Sequence, residues 1–231
     1  MSRRRTELAQ LVSDIHQYGI NYHNREIYLH SLEYEEGINE AGVEYKMATS
    51  FIKNLNILSR QNSNPILVHM HSIGGNWADG MAIFNSIRFC KCPITIISYA
   101  QASSMSGVIL QSADYRVMMK DCEFMMHYGN AGHYGSITAA KSSIDHSVEC
   151  LKKRMIEIFA KRAKVGQYFV DRKMSEGKIK SFFDRKLREK SDWYMTSQDA
   201  QEYGLCDAIL GVDNYNTFEE VMAVEKYNID L

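Results

Sequence analysis

The sequence predicts an α/β fold in which strands and helices alternate through crossover connections. Three observations carry this. The continuous apolar runs ILVHM (residues 66–70) and ITIIS (94–98) read as buried strands. Segments around them place apolar residues at helical spacing, most clearly over 41–60. Turn signals mark the joins, Pro65 before the first run and Gly74–Gly75 after it.

The elements follow in order. Residues 1–25 are polar and mixed, a helix or an arm, and EIYLHS (26–31) is a short strand. Over 41–60, Val43, Met47, Phe51, Leu55 and Leu58 share one helical face. Residues 77–90 read as a second helix, and a third follows the strand at 94–98. YRVMM (115–119) and EFMMH (123–127) read as strands. From about Ser136 a long helix is expected, because Ile137, Ile144, Val148, Leu151, Met155 and Ile158 recur at sevens, fours and threes. Residues 167–191 hold eight Lys/Arg against four Asp/Glu and read as a solvated helical excursion. MTSQDAQEYGLCDAILG gives a short helix, a stop at Gly204 and a last strand. The tail, 212–231, is acidic and moderately apolar.

Bulk properties exclude several function classes. With 231 residues, 45% hydrophobic, and a net charge of −1, the chain suits one domain with a substantial core and does not point to nucleic acid as a partner. No apolar run is long enough for a bilayer span, so no membrane partner is expected. The basic N-terminal cluster lacks an apolar core behind it and is not a secretory signal. Cys90, Cys92, Cys122, Cys150 and Cys206 are odd in number, and Cys90-x-Cys92 has no second pair to complete a zinc site. Free thiols and a cytoplasmic location are the expectation.

The segment YAQASSMSGVILQSADY (99–115) crowds Ser103, Ser104 and Ser106 at the start of an apolar run. A serine there caps a helix or acts as a nucleophile. The second role needs a base, a group that orients the base, and N–H donors for the oxyanion. Ser104 follows a strand and precedes a helix, where free backbone N–H groups face developing negative charge. Gly74–Gly75 ends another strand, and its backbone is open to close approach. Among eight histidines, His127 ends an apolar strand, whereas His69 and His71 flank the strand before the glycines. His16, His23, His30, His133 and His146 lie in polar surroundings and read as surface residues. Asp114, Asp184, Asp192 and Asp207 all qualify as the carboxylate, and spacing does not choose among them.

The run GGNWADGMAIFNSIRFCKCPITIISYAQASSMSGVILQSA resembles the proteolytic subunit of the Clp protease, ClpP. That family carries a glycine pair, then G-M-A-I-Y/F, then Q-A-A-S-M before an apolar helix. A strand ending in M-I-H follows, matched here by Met125-Met126-His127. Later come an Asp with an aromatic residue close behind and A-x-E-Y-G-L-x-D, matched by Asp192-Trp193-Tyr194 and Ala200–Asp207. The resemblance covers about residues 26–211 and keeps the family's motif order. It implies a ClpP/crotonase-like fold of repeated β-β-α units, with residues 26–231 as the peptidase domain and a protruding handle helix over about 136–164; residues 1–25, which do not closely match the family's axial loop, are an N-terminal arm or an axial segment.

The resemblance further implies that Ser104 is the nucleophile, His127 the general base and Asp192 the orienting carboxylate. Gly75 and Met105 would supply oxyanion N–H groups, and Gly74 would contact substrate. It implies unfolded polypeptide substrates, an AAA+ ATPase unfoldase as partner, self-assembly into stacked rings of heptamers, and no metal or organic cofactor. The chain has no G-x-x-x-x-G-K-[ST] phosphate loop of its own.

It also departs from the family. Ile73 stands where Pro precedes the glycines, Tyr128-Gly129 replaces Q-P, and the stretch from His127 to Asp192 is longer, which keeps Asp184 as an alternative carboxylate. Ser103 takes the place of Ala, for packing or capping, and Ser106 the place of Gly. A phage-type member trimming a virus-like shell, an inactive ring subunit, a crotonase-type acyl-CoA enzyme and a serine–lysine hydrolase are the other readings.

Overall fold

The computed structural model describes residues 3–29, 42–130, 135–213 and 215–222. The expected strand end at His30–Ser31, the placement of His30 and His133, and the tail past 222 lie outside the described residues.

Helix α1 (Arg3–Tyr18) leads into β1 (Ile20–Asn21), which pairs antiparallel with β2 (Glu26–Leu29). The sheet thus begins at Ile20. Helix α2 (Tyr45–Gln61) starts where the Glu44 carboxylate accepts the N–H groups of Lys46 and Met47, at 2.7 and 2.6 Å, satisfying two donors that the helix cannot. Its expected face is buried through Met47, Phe51, Leu55 and Leu58.

The chain then alternates β3 (Ile66–Ser72), α3 (Trp77–Arg88), β4 (Ile94–Ser103), α4 (Met105–Leu110) and β5 (Tyr115–Met119). Strands β2, β3, β4, β5 and β8 (Ala208–Leu210) lie side by side in parallel, with β1 at the far edge. The central strands β3 and β4 are buried along nearly continuous apolar runs, whereas β2 at their side alternates. Strand β4 runs five residues past its expected end and divides. Thr95–Ser98 pair with β5, whereas Gln101–Ser103 pair with β6 (Glu123–Met126). Strand β6 in turn pairs antiparallel with β7 (Trp193–Met195). Ser104 is the first residue past this division.

The expected long helix is α5 (Ile137–His146), a π turn (Ser147–Leu151) and α6 (Lys152–Ala163). Its apolar stripe is not continuous in environment. Among the described residues α5 and the π turn bury none, and Ile137 is 90% exposed, whereas α6 buries Met155, Ile158 and Phe159.

The expected solvated excursion at 167–191 is corrected. It forms α7 (Gln167–Asp171) and α8 (Glu176–Lys190), which bury Phe169, Ile179, Phe182, Phe183 and Leu187. The rings of Phe169, Phe182 and Phe183 lie 5.2–5.7 Å apart, edge to face, and Trp193 closes the cluster. The charges are real but occupy the outer faces. Spacing of 179, 182, 183 and 187 is the i, i+3, i+4, i+8 pattern of a docked helix, which a charge count conceals.

Helix α9 (Ser197–Glu202) starts in a capping box between Thr196 and Asp199. Helix α10 (Phe218–Met222) lays Val221 on a second apolar cluster with Leu67, Ile97, Tyr115, Val117 and Leu210. Beneath α9, the fully buried Arg116 forms a bidentate pair with Asp207 and also donates to Gln111 Oε1 and the Gly204 carbonyl. Among the described residues no helix is long and apolar enough to cross a membrane.

Candidate active site

Ser104 stands between β4 and α4 with φ +54° and ψ −123°, a conformation that favours glycine and costs a serine about 1–3 kcal/mol. Its N–H is tied to the Met125 carbonyl at 2.9 Å, so β6 holds the strained turn in place. Ser104 occupies the cap position of α4, yet its side chain makes no capping bond. The hydroxyl instead lies 2.7 Å from His127 Nε2. His127 follows the last residue of β6, and its Nδ1 lies 3.1 Å from Asp192 Oδ1. Asp192 comes two residues after α8, beyond Ser191, whose φ of +61° turns the chain toward β7. The structure therefore joins hydroxyl, imidazole and carboxylate in series. His127 is 15% exposed and Asp192 is 51% exposed.

The other carboxylates are engaged elsewhere. Asp114 accepts the Ile94 N–H at 2.7 Å, and Asp207 holds Arg116. Asp184 receives the Tyr128 hydroxyl, Lys152 Nζ at 3.2 Å and Arg188 Nε at 2.8 Å. The Tyr128 hydrogen bond, with these cations, holds the Asp184 carboxyl down at about 2. Of the other strand histidines, His69 is buried with Nδ1 2.7 Å from the Tyr99 hydroxyl, and burial lowers its pKa. His71 is exposed. Ser103 is buried at the end of β4, and Ser106 is fully buried with its hydroxyl unpartnered among the described residues.

The glycine turn abuts the serine turn. A side chain at Gly74 (φ +99°) would start 2.6 Å from the Ser103 carbonyl oxygen and 2.8 Å from the Met105 nitrogen. One at Gly75 (φ +152°) would collide with the Val43 backbone, to which this turn is laced by Val43 N–H to the Gly74 carbonyl (2.6 Å) and Asn76 N–H to the Val43 carbonyl (2.8 Å). Gly75→Ala is accordingly expected to cost about 1–3 kcal/mol of stability, read as a lowered urea midpoint. An unchanged midpoint would show that the turn yields freely.

Gly75, Ser104, Met105 and His127 line a cavity of about 630 Å³. Its apolar wall is the exposed part of the long helix, Ile144 and Val148, continued by Leu151 and Met155, with Trp77 and Val108 opposite. Lys152 lies in the same wall, but its ammonium sits on Asp184 and 4.0 Å above the Tyr128 ring. The sequence did not reveal this Tyr128–Asp184–Lys152 cluster. The one signal was Tyr128 itself, out of place for the family at that position. Among the described residues no group of His, Cys, Asp or Glu is arranged to hold a metal ion.

A hydroxyl, an imidazole and a carboxylate in series, beside an apolar groove and a glycine turn, is the layout of a serine hydrolase. The family model described as Clp protease matches residues 24–213, and the chain belongs to that family of serine peptidases. It is 26% identical over 172 residues, 73% of this chain and 76% of the relative, to a Deinococcus radiodurans protein described as ATP-dependent Clp protease proteolytic subunit.

Proposed function

We propose that this chain is the proteolytic subunit of an ATP-dependent Clp-type protease, an endopeptidase acting on unfolded polypeptides. The observation that carries the reading is the series Ser104 Oγ, His127 Nε2 and Nδ1, Asp192 Oδ1, at 2.7 and 3.1 Å. His127 takes the Ser104 proton as the oxygen attacks the scissile carbonyl, and Asp192 holds the imidazole in the tautomer that leaves Nε2 free to accept. The backbone N–H groups of Gly75 and Met105 receive the oxyanion, the latter from the first turn of α4, where N–H groups lack helical partners. Gly74 lies alongside the extended substrate. His127 then passes its proton to the leaving amine, and water resolves the acyl-enzyme by the same route in reverse. No metal or organic cofactor enters this chemistry.

The groove favours peptides that place an apolar side chain against Ile144, Val148 and Met155. Rings of this chain, heptamers stacked face to face, would enclose the serines, and an AAA+ unfoldase would feed the chamber, since this sequence lacks a phosphate loop. The α5–α6 helix serves as the handle between rings, residues 26–231 as the peptidase domain, 1–25 as its N-terminal arm or axial segment and the cytoplasm as the setting.

A histidine base is also supported over a lysine one, because the lysine that lines the groove is committed to Asp184. The test is fluorophosphonate labelling with intact-mass and peptide mapping on the wild-type chain, Ser104→Ala and His127→Ala. Labelling at Ser104, absent from both variants, is expected. Labelling that survives His127→Ala would shift the reading to a serine–lysine hydrolase. None at all would shift it to a ring subunit without activity.

A further inference from the structure

The geometry points to Tyr128 as a positioning residue that keeps His127 aligned with Asp192, an inference resting on the peptidase reading above. Past Met126 the chain leaves the sheet, and among the described residues nothing but its chain neighbours lies within 4 Å of where a side chain at Gly129 (φ +83°) would begin. No ladder therefore fixes the residues that carry the imidazole. The Asp192–His127 contact cannot do so alone, because a pair as exposed as this one holds its partners only weakly.

A second contact lies one residue along. The Tyr128 hydroxyl donates to Asp184 Oδ1 and lies 3.3 Å from the Asp184 carbonyl. Asp184 sits two turns before the end of α8, and Asp192 just beyond that end. Helix α8 and the turn just beyond it thus grip two consecutive residues of the His127 segment, through Asp184 and Asp192. The Tyr128 contact is the better sheltered, with Asp184 34% exposed against 51% for Asp192. It is charge-assisted, which makes it stronger than a neutral hydrogen bond. Lys152 closes the bracket from α6, 3.2 Å from Asp184 Oδ1 and 4.0 Å above the tyrosine ring. Residues from the segment after β6, from α6 and from α8 meet there, and that segment carries His127.

Tyr128→Phe deletes the hydroxyl and keeps the ring beneath Lys152. It is expected to lower kcat on a short fluorogenic peptide about tenfold, with KM changed by less than about twofold, because misalignment acts on the chemical step. The rate of fluorophosphonate labelling at Ser104 falls by the same factor. The deciding readout is a double-mutant cycle. In an Asp192→Asn background the Tyr128→Phe change is expected to alter neither rate by more than about twofold, since the alignment it protects is already lost.

A full tenfold loss in that background would assign Tyr128 a general structural role and overturn the inference. So would Tyr128→Phe reacting at the wild-type rate. Should Tyr128→Phe fail to fold, the same cycle run with Asp184→Ala decides by the same criteria. An unreactive wild-type chain would overturn this inference together with the peptidase reading. A reactive wild type with a fully reactive Tyr128→Phe would overturn this inference alone.

Discussion

Ser104→Ala is expected to lower kcat by about 10⁵–10⁶-fold, the scale on which a serine triad fails when its nucleophile is removed. The folded state should barely change, because among the described residues the hydroxyl bonds only to His127 and no cap is lost. Peptide hydrolysis read alongside the far-UV circular dichroism melting curve separates the two effects. Three of the buried or half-buried thiols are not poised to substitute. Burial pushes Cys90 and Cys122 up to about 11, and raises Cys206 as well, so these sulfurs remain protonated at neutral pH. Retained hydrolysis would mean that another serine attacks and that the placement of Ser104 has a different cause.

Arg116→Met is expected to destabilise the chain by about 3–5 kcal/mol, the usual consequence of leaving a buried charge without its partner. Burial pushes the Asp207 carboxyl upward, but Arg116, aided by Arg162, outweighs it and holds the group below the ordinary carboxylate range. With Arg116 gone, the nearest cation is Arg162 at 3.8 Å, itself fully buried and lowered to about 9 by burial and by Arg116. The sign with pH follows. A carboxyl whose folded pKa is depressed contributes stability that is present above its unfolded value, about 4, and lost as pH falls through the folded one. Urea midpoints of wild type and variant should differ fully at pH 7 and converge in acid below about pH 4. Equal midpoints at pH 7 would show that Arg162 takes over the carboxylate.

The central strands and helices α2 and α3 were legible in the sequence because each is long enough to show a period and is bounded by Pro65, Gly74 or a polar cap. Strands β1 and β7 hold two and three residues and show no period at all. The aromatic layer under α7 and α8 had the right spacing, but eight basic residues masked it. Motif order put Ser104, His127 and Asp192 forward, and these are the residues joined in series. Spacing alone left four aspartates equal. What separates them is where the chain returns in space: Asp114 to a strand start, Asp207 to a buried arginine, and Asp184 to Tyr128. The same holds for the extension of β4 to Ser103, which depends on β6 arriving beside it.

The two halves of the groove are anchored very differently. Ser104 hangs from a ten-residue central strand and a helix buried throughout, whereas the facing wall begins on α5, which buries no residue. Substitutions at Ile144 and Val148 disturb little of the core, so they alter the shape of the groove at small cost to folding. Selection can therefore retune the shape of the groove without renegotiating the geometry of the Ser104 turn. On the proposed peptidase function, preference is the evolvable property of this molecule, and reactivity is the constrained one.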